Sequence, residues 1–362
     1  MKVLIISFCD AELNTRLASA LSEQDNIEVC LMLPDYQVAA YKKRLSSKVN
    51  YQPFELARLR DPVGNIRSMR QLVKAINHYN PDIIHYQYAH LWFSLTLWFL
   101  RKYPLVISVH DPRDHIGDDV SKKTPQAVKD FGYRLADRII AHNGKMKPII
   151  SDVLNYPAEQ IDVIPLMAYG DPTQQPETKK KGQYVLFFGR IWEYKGLEYL
   201  IQAEPLIRAT IPEIKIVIAG EGENFERYRA MMDSPEQFIV HNRYIDADDE
   251  KAQLFSQASV VVLPYIEATQ SAIISLAYNF AKPVIATAVG GLVEQVDDGI
   301  TGYLIPPRDP QALADKVVAI LKDEDLNNTL GQNGKMKLEN EWSTTAIVQK
   351  TIETYKRAIN HG

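Results

Sequence analysis

Gly189-Arg190-Ile191-Trp192-Glu193-Tyr194-Lys195-Gly196 is the stretch on which the reading of this chain turns. The continuous apolar run before it, Tyr184-Val185-Leu186-Phe187-Phe188, has the length and composition of a buried strand. After it, Leu197, Leu200, Ile201 and Ala203 fall on one face of a helix. A glycine and two cations therefore stand where a strand gives way to a helix, and open α/β sheets hold ligands at that end of their strands. Arg190 offers a fork of donors and Lys195 a compact charge, a pair suited to a pyrophosphate. Two solvated loop cations are the bland reading of the same residues.

The strand–helix rhythm extends in both directions. Toward the N-terminus, strands are predicted at 2–8, 27–33, 82–87, 105–110, 138–142 and 161–165, with helices between them, for example at 11–23, 66–79, 90–102 and 125–136. Toward the C-terminus, strands are predicted at 184–188, 214–219, 237–240, 259–263, 283–286 and 303–304. Helices fall at 196–208, 223–232, 249–256, 271–280, 291–296 and 310–322, the last capped by Asp309 with Pro310 in its first turn. The tail from about 324 to 360 reads as helix with a break near Ser343. Such alternation implies parallel sheets with helices on both faces. Residues 171–182 are polar, carry Pro172 and Pro176 and have no apolar period, which makes them a linker. The expected organisation is a first Rossmann-like domain over 1–170, the linker, a second over 183–341, and a terminal helix from 342 to 362. Two such domains on one linker imply a cleft between two sets of strand ends.

Composition sets the outer bounds. The chain has 362 residues, 46% hydrophobic and 24% charged, enough for two cores of ordinary size. A net charge of −4 disfavours bulk nucleic-acid binding. Residues 1–170 carry 21 basic against 18 acidic side chains, and residues 171–362 carry 20 against 27. A mildly basic first half suits an anionic acceptor or a membrane surface, or is ordinary scatter. Cys9 and Cys30 lie in or beside core strands and read as small buried hydrophobes, with no disulfide framework or Cys-based metal site. Met1 to Phe8 reads as the first strand, since it is too short for a signal peptide and lacks a cleavage pattern. The expected location is the cytoplasm, with a peripheral contact at the inner face of the membrane as the addition to weigh. Leu91 to Lys102 is apolar nearly all round; a core helix is the default, and an acceptor or membrane contact, supported by Lys42, Lys43, Arg44 and Lys48, is the alternative.

Other strand ends carry chemistry. Pro264-Tyr265-Ile266-Glu267-Ala268-Thr269-Gln270-Ser271 follows a predicted strand, and a helix starts at Ser271. Free N–H groups there favour an anion. Glu267, the carboxylate of this loop, is repelled by phosphate and is suited to sugar hydroxyls instead, or is merely an exposed glutamate. Gly290-Gly291 and Gly220-Glu221-Gly222 end further strands and permit close backbone approach, or make plain tight turns. In the first half, His110 ends a strand, as His85 and His142 nearly do, and is a candidate sugar contact or a packed core histidine.

Taken together, FFGRIWEYKGLEYLIQA, VIAGEGE, LPYIEATQS, KPVIATAVGGLVE and DGITGYLIPPRDP resemble, in order and spacing, the donor domain of the retaining glycosyltransferases of family 4, which have the GT-B fold. The first domain resembles the family more loosely, through the segments VHD and ADRIIAHN. The resemblance implies a nucleotide-sugar donor on the second domain and a glycan or glycolipid acceptor on the first. It implies that Arg190 and Lys195 grip the donor diphosphate and that Gly189, Gly220 and Gly222 line the donor. Glu267 and Thr269 would lie beside the donor sugar, and the backbone around Gln270 and Ser271 would meet phosphate or sugar oxygens. Arg243, Tyr244 and Ile245 would border the base, His110 would touch the sugar, and the terminal helix after Trp342 would cross back onto the first domain. Two departures stand out. Family members often carry a second glutamate eight positions on, at the ribose, and here Ser275 occupies that place. The glycine-rich loop after the first strand is replaced by Cys9-Asp10-Ala11-Glu12-Leu13-Asn14-Thr15-Arg16, which opens acceptor contacts from Asn14 or Arg16.

The expected activity is hexose transfer from a nucleoside-diphosphate sugar to a hydroxyl with retention, in surface polysaccharide, lipopolysaccharide or glycolipid assembly. No cofactor besides the donor is expected, and no metal, because no Asp-x-Asp cluster stands at a strand end; Asp118-Asp119 reads as a solvated loop pair. A non-catalytic nucleotide-sugar sensor or partner subunit is the rival, motivated by the two departures. A Rossmann oxidoreductase is disfavoured because no G-x-G-x-x-G follows the first strand.

Overall fold

The computed structural model describes residues 1–38, 44–113, 124–167, 184–222, 224–245 and 247–361. The expected linker, Lys42, Lys43, Asp118 and Asp119 lie outside the described residues. Two compact units emerge. One is built from the chain up to Met167 with the segment from Thr344 onward, the other from the stretch that ends at Ser343.

The first unit runs β1 (Lys2–Ser7), α1 (Ala11–Ser22), β2 (Glu28–Pro34), α2 (Asp35–Val38), β3 (Asn50–Phe54), α3 (Pro62–Tyr79), β4 (Ile83–Gln87) and α4 (Leu91–Thr96), which continues as a 3₁₀ turn over Leu97–Leu100. It then runs β5 (Leu105–Val109), α5 (Gln126–Tyr133), β6 (Arg138–Ala141), α6 (Met146–Leu154) and β7 (Ile161–Val163). The seven strands pair in the order β3-β2-β1-β4-β5-β6-β7, every pair parallel. The central strands β1, β4 and β5 are buried along nearly their whole length and largely apolar, with His85 and Gln87 the polar members of β4, as a sheet covered on both faces requires. Strand order reverses between β1 and β4, the switch point at which such sheets open a crevice at their carboxyl ends. Strand β3 was not legible because Asn50-Tyr51-Gln52-Pro53-Phe54 is polar and carries a proline. It is the edge strand, where a missing N–H is tolerated.

The second unit runs β8 (Tyr184–Phe188), α7 (Leu197–Arg208), β9 (Ile216–Ala219), α8 (Glu226–Arg229), β10 (Phe238–His241), α9 (Asp248–Gln257) and β11 (Ala258–Leu263). It continues with α10 (Ala272–Asn279), β12 (Val284–Thr287), α11 (Leu292–Gln295), β13 (Gly302–Ile305), α12 (Pro310–Lys322) and α13 (Glu324–Glu341). Its six strands, also parallel, order as β10-β9-β8-β11-β12-β13, with the switch point between β8 and β11. Both units are thus doubly wound, Rossmann-like sheets, as the alternation predicts.

After the break at Ser343, α14 (Thr344–His361) packs in the first unit against α1, β4, β5 and β6. Tyr355 is fully buried there, its hydroxyl 2.7 Å from His85 Nδ1. Asp162 in β7 is the ionic anchor of this helix. It takes Arg138 through two contacts of 2.7 and 2.9 Å, Arg357 at 2.9 Å and the Thr354 hydroxyl at 3.0 Å. One expectation about the core needs correction: Cys9 is exposed in the turn after β1, and only Cys30 is buried.

Candidate functional site

In the second unit the switch-point loops carry the cations. Gly189 leaves β8 at φ +115°, a conformation closed to ordinary side chains. Arg190 follows, exposed, with its guanidinium 3.9 Å from the centroid of the Trp192 ring. Lys195 is half-buried, its ammonium 3.8 Å from the Tyr265 ring centroid and 5.0 Å from that of Tyr194. Each cation therefore rests on an aromatic face that restrains it. The Arg190 charge also reaches the buried Tyr265 hydroxyl, whose pKa is nevertheless pushed up, chiefly by burial. Trp192 and Tyr265 were not singled out from sequence; aromatic neighbours of two cations were the available signal.

Backbone contacts lock this loop to the one after β11. Ile266 N–H donates to Tyr194 O at 2.8 Å, and a Cβ on Gly196 (φ +63°) would lie 2.1 Å from Pro264 O. The β11 loop is in turn backed by Gly290, where a Cβ would lie 1.6 Å from Ala268 O. The glycine pair after β12 thus serves close approach between two loops. Glu267, Thr269 and Gln270 are half-buried on the loop so fixed. Ser271 caps α10, its hydroxyl accepting from Ile273 N–H at 3.3 Å. Gln295 clasps the same residue, accepting from Ser271 N–H at 2.8 Å and donating to Ser271 O at 3.0 Å. The Ser271 N–H is therefore committed within the protein. Ser275, in the place of the second family glutamate, is buried and donates back to Ala272 O at 2.8 Å.

Other expected donor residues have structural tasks. A Cβ on Gly220 (φ +150°) would lie 2.0 Å from Gly189 O, and one on Gly222 would lie 2.4 Å from Ile191 Cβ. Both glycines let the β9 loop press against the backbone that carries Arg190. Ile245 is buried in the core, so its side chain is closed to a base. Arg243 is paired with Glu250, and Tyr244 is the exposed member of the trio.

In the first unit the switch point gathers Asp10, Tyr88 and His110. Asp10 and Tyr88 both hold left-handed backbone, φ +56° and +60°, at the ends of β1 and β4. Such strain in non-glycine residues costs about 1–3 kcal/mol each and clusters at functional sites. The Tyr88 hydroxyl donates to Asp10 Oδ2 at 2.8 Å, and its ring lies flat on His110, with centroids 3.7 Å apart and planes 4° from parallel. His110 Nε2 lies 3.0 Å from Gln87 Oε1. Where that oxygen accepts, Nε2 carries the proton and Nδ1 is left to accept from a hydroxyl. Burial, aided by the neighbouring His142, holds the His110 pKa well below its ordinary value, so the ring is neutral near pH 7. Asn14 is fully buried and donates to Cys9 O at 3.1 Å and Asp10 O at 2.7 Å, bracing the loop where a glycine-rich turn was absent. Arg16 is half-buried on the same helix. Among the described residues no group of three His, Cys, Asp or Glu is arranged to hold a metal ion.

Comparison with known proteins follows the same division. Residues 13–167 match the model of glycosyltransferase family 4, and residues 182–323 match that of glycosyl transferases group 1. The chain belongs to the group 1, family 4 glycosyltransferases. This glycosyltransferase is 26% identical over 326 residues to a D-inositol 3-phosphate glycosyltransferase of Pseudarthrobacter chlorophenolicus, covering 82% of this chain and 76% of that protein. It is 27% identical over 172 residues to the capsular polysaccharide biosynthesis glycosyltransferase CapM of Staphylococcus aureus, 47% of this chain and 44% of that protein. In that relative, as in an uncharacterised glycosyltransferase of Methanocaldococcus jannaschii, the match spans less than half of the relative's own length. Among solved structures, Anabaena HepE in complex with UDP-glucose superposes with a TM-score of 0.77 at 18% identity, over 98% of this chain and 99% of that one. The likeness establishes the GT-B fold.

Proposed function

We propose that this glycosyltransferase moves a hexose from a nucleoside-diphosphate sugar to an acceptor hydroxyl with retention at the anomeric carbon, in surface polysaccharide, lipopolysaccharide or glycolipid assembly. The observation that carries the reading is the pair Arg190 and Lys195. Two cations are held over aromatic rings at the carboxyl end of the central strand β8, next to a loop knitted by Gly196 and Gly290. The bond between the anomeric carbon and the diphosphate oxygen breaks, and its electron pair leaves with the diphosphate. Arg190 and Lys195 stabilise that charge, so the protein supplies the electrophilic help itself and no divalent metal is required. Groups of this kind contribute about 3–4 kcal/mol each when removed singly. The acceptor oxygen bonds to the same face of the sugar, and its proton passes to the departing phosphate oxygen. Glu267 receives hydrogen bonds from sugar hydroxyls. HepE, bound to UDP-glucose in its crystal structure, makes uridine donors the first to try.

The test is a panel of nucleoside-diphosphate sugars screened by thermal shift, followed by turnover of the stabilising donor and NMR of the product's anomeric configuration. A donor that raises the melting temperature and yields a retained glycoside supports the proposal. An inverted product refutes the mechanism. Tight binding without transfer or hydrolysis would favour the sensor reading, for which the self-bonded Ser275 in place of a ribose carboxylate is the specific motive.

A further inference from the structure

The segment after β4 is not the continuous core helix its composition suggests. Helix α4 gives way to a 3₁₀ turn, and its buried apolar side chains are the line Phe93, Leu97 and Leu100. Leu95, Trp98 and Phe99 point outward, 45%, 53% and 72% exposed. Neighbouring α3 repeats the pattern: Met69, Leu72 and Ile76 face the core, while Val63 and Ile66 are exposed. Single exposed apolar residues are ordinary, but five on two adjacent helices, two of them aromatic, are not.

The charges around them share one sign. Helix α3 and residues 91–102 carry Arg67, Arg70, Lys74, Arg101 and Lys102, all exposed, and no carboxylate at all, in a chain whose net charge is −4. The carboxylate at the foot of α3, Asp61, is its N-cap and accepts from Gly64 N–H at 2.9 Å. Asp137, which feels Arg101, accepts from Leu105 N–H at 2.7 Å. The Arg101 guanidinium lies 4.6 Å from the Trp98 ring centroid, so cation and aromatic present themselves together. Of the cations named from sequence, Lys48 is paired with Glu23.

We propose that the outer face of α3, of α4 and of the 3₁₀ turn after it, which carries Trp98 and Phe99, docks this glycosyltransferase on an anionic lipid surface. Trp and Phe suit the headgroup boundary, whose amphipathic depth accepts an aromatic ring beside a guanidinium. The five cations supply attraction to negatively charged headgroups, each adding about fivefold in binding near the surface. None of the described helices is long and apolar enough to cross a membrane, so the contact is peripheral.

The experiment is co-sedimentation of the whole chain with vesicles of phosphatidylcholine alone and of phosphatidylcholine mixed with phosphatidylglycerol, at low and high salt. Binding to the anionic vesicles, weakened by salt and at least about tenfold tighter than to neutral ones, is expected. Trp98→Ser with Phe99→Ser, and separately Arg67→Glu with Arg70→Glu and Lys74→Glu, should each lose at least about tenfold in vesicle binding. Both variants should keep their melting temperature and their binding of nucleoside-diphosphate sugar. Equal binding to neutral vesicles, no binding to either, or variants that bind like the parent would overturn the proposal. So would a wild-type dimer in solution that the Trp98→Ser and Phe99→Ser exchange dissociates, which would assign the face to a second copy. Vesicle binding needs no donor, so its failure and a failure of transfer are separate results.

Discussion

Replacing Gly290 with alanine separates packing from backbone strain at the candidate donor site. At φ +46° an alanine pays the left-handed penalty of about 1–2 kcal/mol. Its Cβ would also lie 1.6 Å from Ala268 O, whereas real contacts keep about 3.0 Å, so the loop must yield by roughly 1.4 Å. Overpacking of that kind costs a further ~1–3 kcal/mol. Gly299 is the matched control, at φ +72° with nothing within 4 Å of its Cβ direction. At roughly 2–4 °C per kcal/mol for a domain of this size, Gly299→Ala should lower the melting temperature by a few degrees and Gly290→Ala by about twice as much or more. The displaced strand of loop carries Glu267 and Thr269, and an ångström of misplacement costs on the order of a hundredfold in turnover. Differential scanning fluorimetry and initial rates on both variants read the two effects. Equal melting temperatures and equal rates in the two variants would refute the claim that Gly290 holds the Glu267 loop by close contact.

Acidification should weaken the first unit. Burial lowers His85 to about 3 and His90 and His142 to about 4, against 6.5 for a free histidine. Between roughly pH 6.5 and 4 the unfolded chain takes up protons that the folded one refuses. Stability therefore falls as pH falls, by up to about 1.4 kcal/mol per pH unit for each histidine, and these groups contribute no slope above pH 7. Urea midpoints between pH 7.5 and 5 measure this, and a His85→Gln variant should show a shallower decline; midpoints independent of pH would contradict it. Asp162→Ala leaves Arg138 buried without its counter-charge and removes the anchor of α14. A loss of about 3–5 kcal/mol in denaturant unfolding is expected, and less than 1 kcal/mol would count against the anchor. Tyr88→Phe keeps the ring on His110 but removes the hydrogen bond that holds it to Asp10. It should reduce turnover several-fold with donor affinity unchanged; a change confined to donor affinity would argue against a positioning role.

Much of the fold was legible because the sheets are buried on both faces. Runs such as Val3 to Ile6 or Val260 to Leu263 can only be strands between helix layers, and they alternate with periodic segments. Edge strand β3 was not legible, since an edge needs neither apolar continuity nor every N–H. In the candidate site, Arg190 and Lys195 were visible as cations at a strand end, but their aromatic supports were not, because Tyr265 meets Lys195 only through the fold. Glycines are ambiguous signals for a physical reason. Gly220 and Gly222 signal close approach equally well when the approaching atoms are Gly189 and Ile191 as when they belong to a ligand. Ile245 and Asn14 were assigned from their place in a motif, and both are turned inward. For Trp98 and Phe99 the sequence left core and surface contact both open, because composition reports apolarity and not direction.

Steady-state transfer by Arg190→Ala and Lys195→Ala, measured with the donor that stabilises the parent protein, bears most directly on the charge-stabilisation claim. A drop of about 10²–10³-fold in kcat for each variant is predicted, with the melting temperature of the exposed Arg190→Ala unchanged. Turnover equal to that of the parent protein in both variants would contradict it.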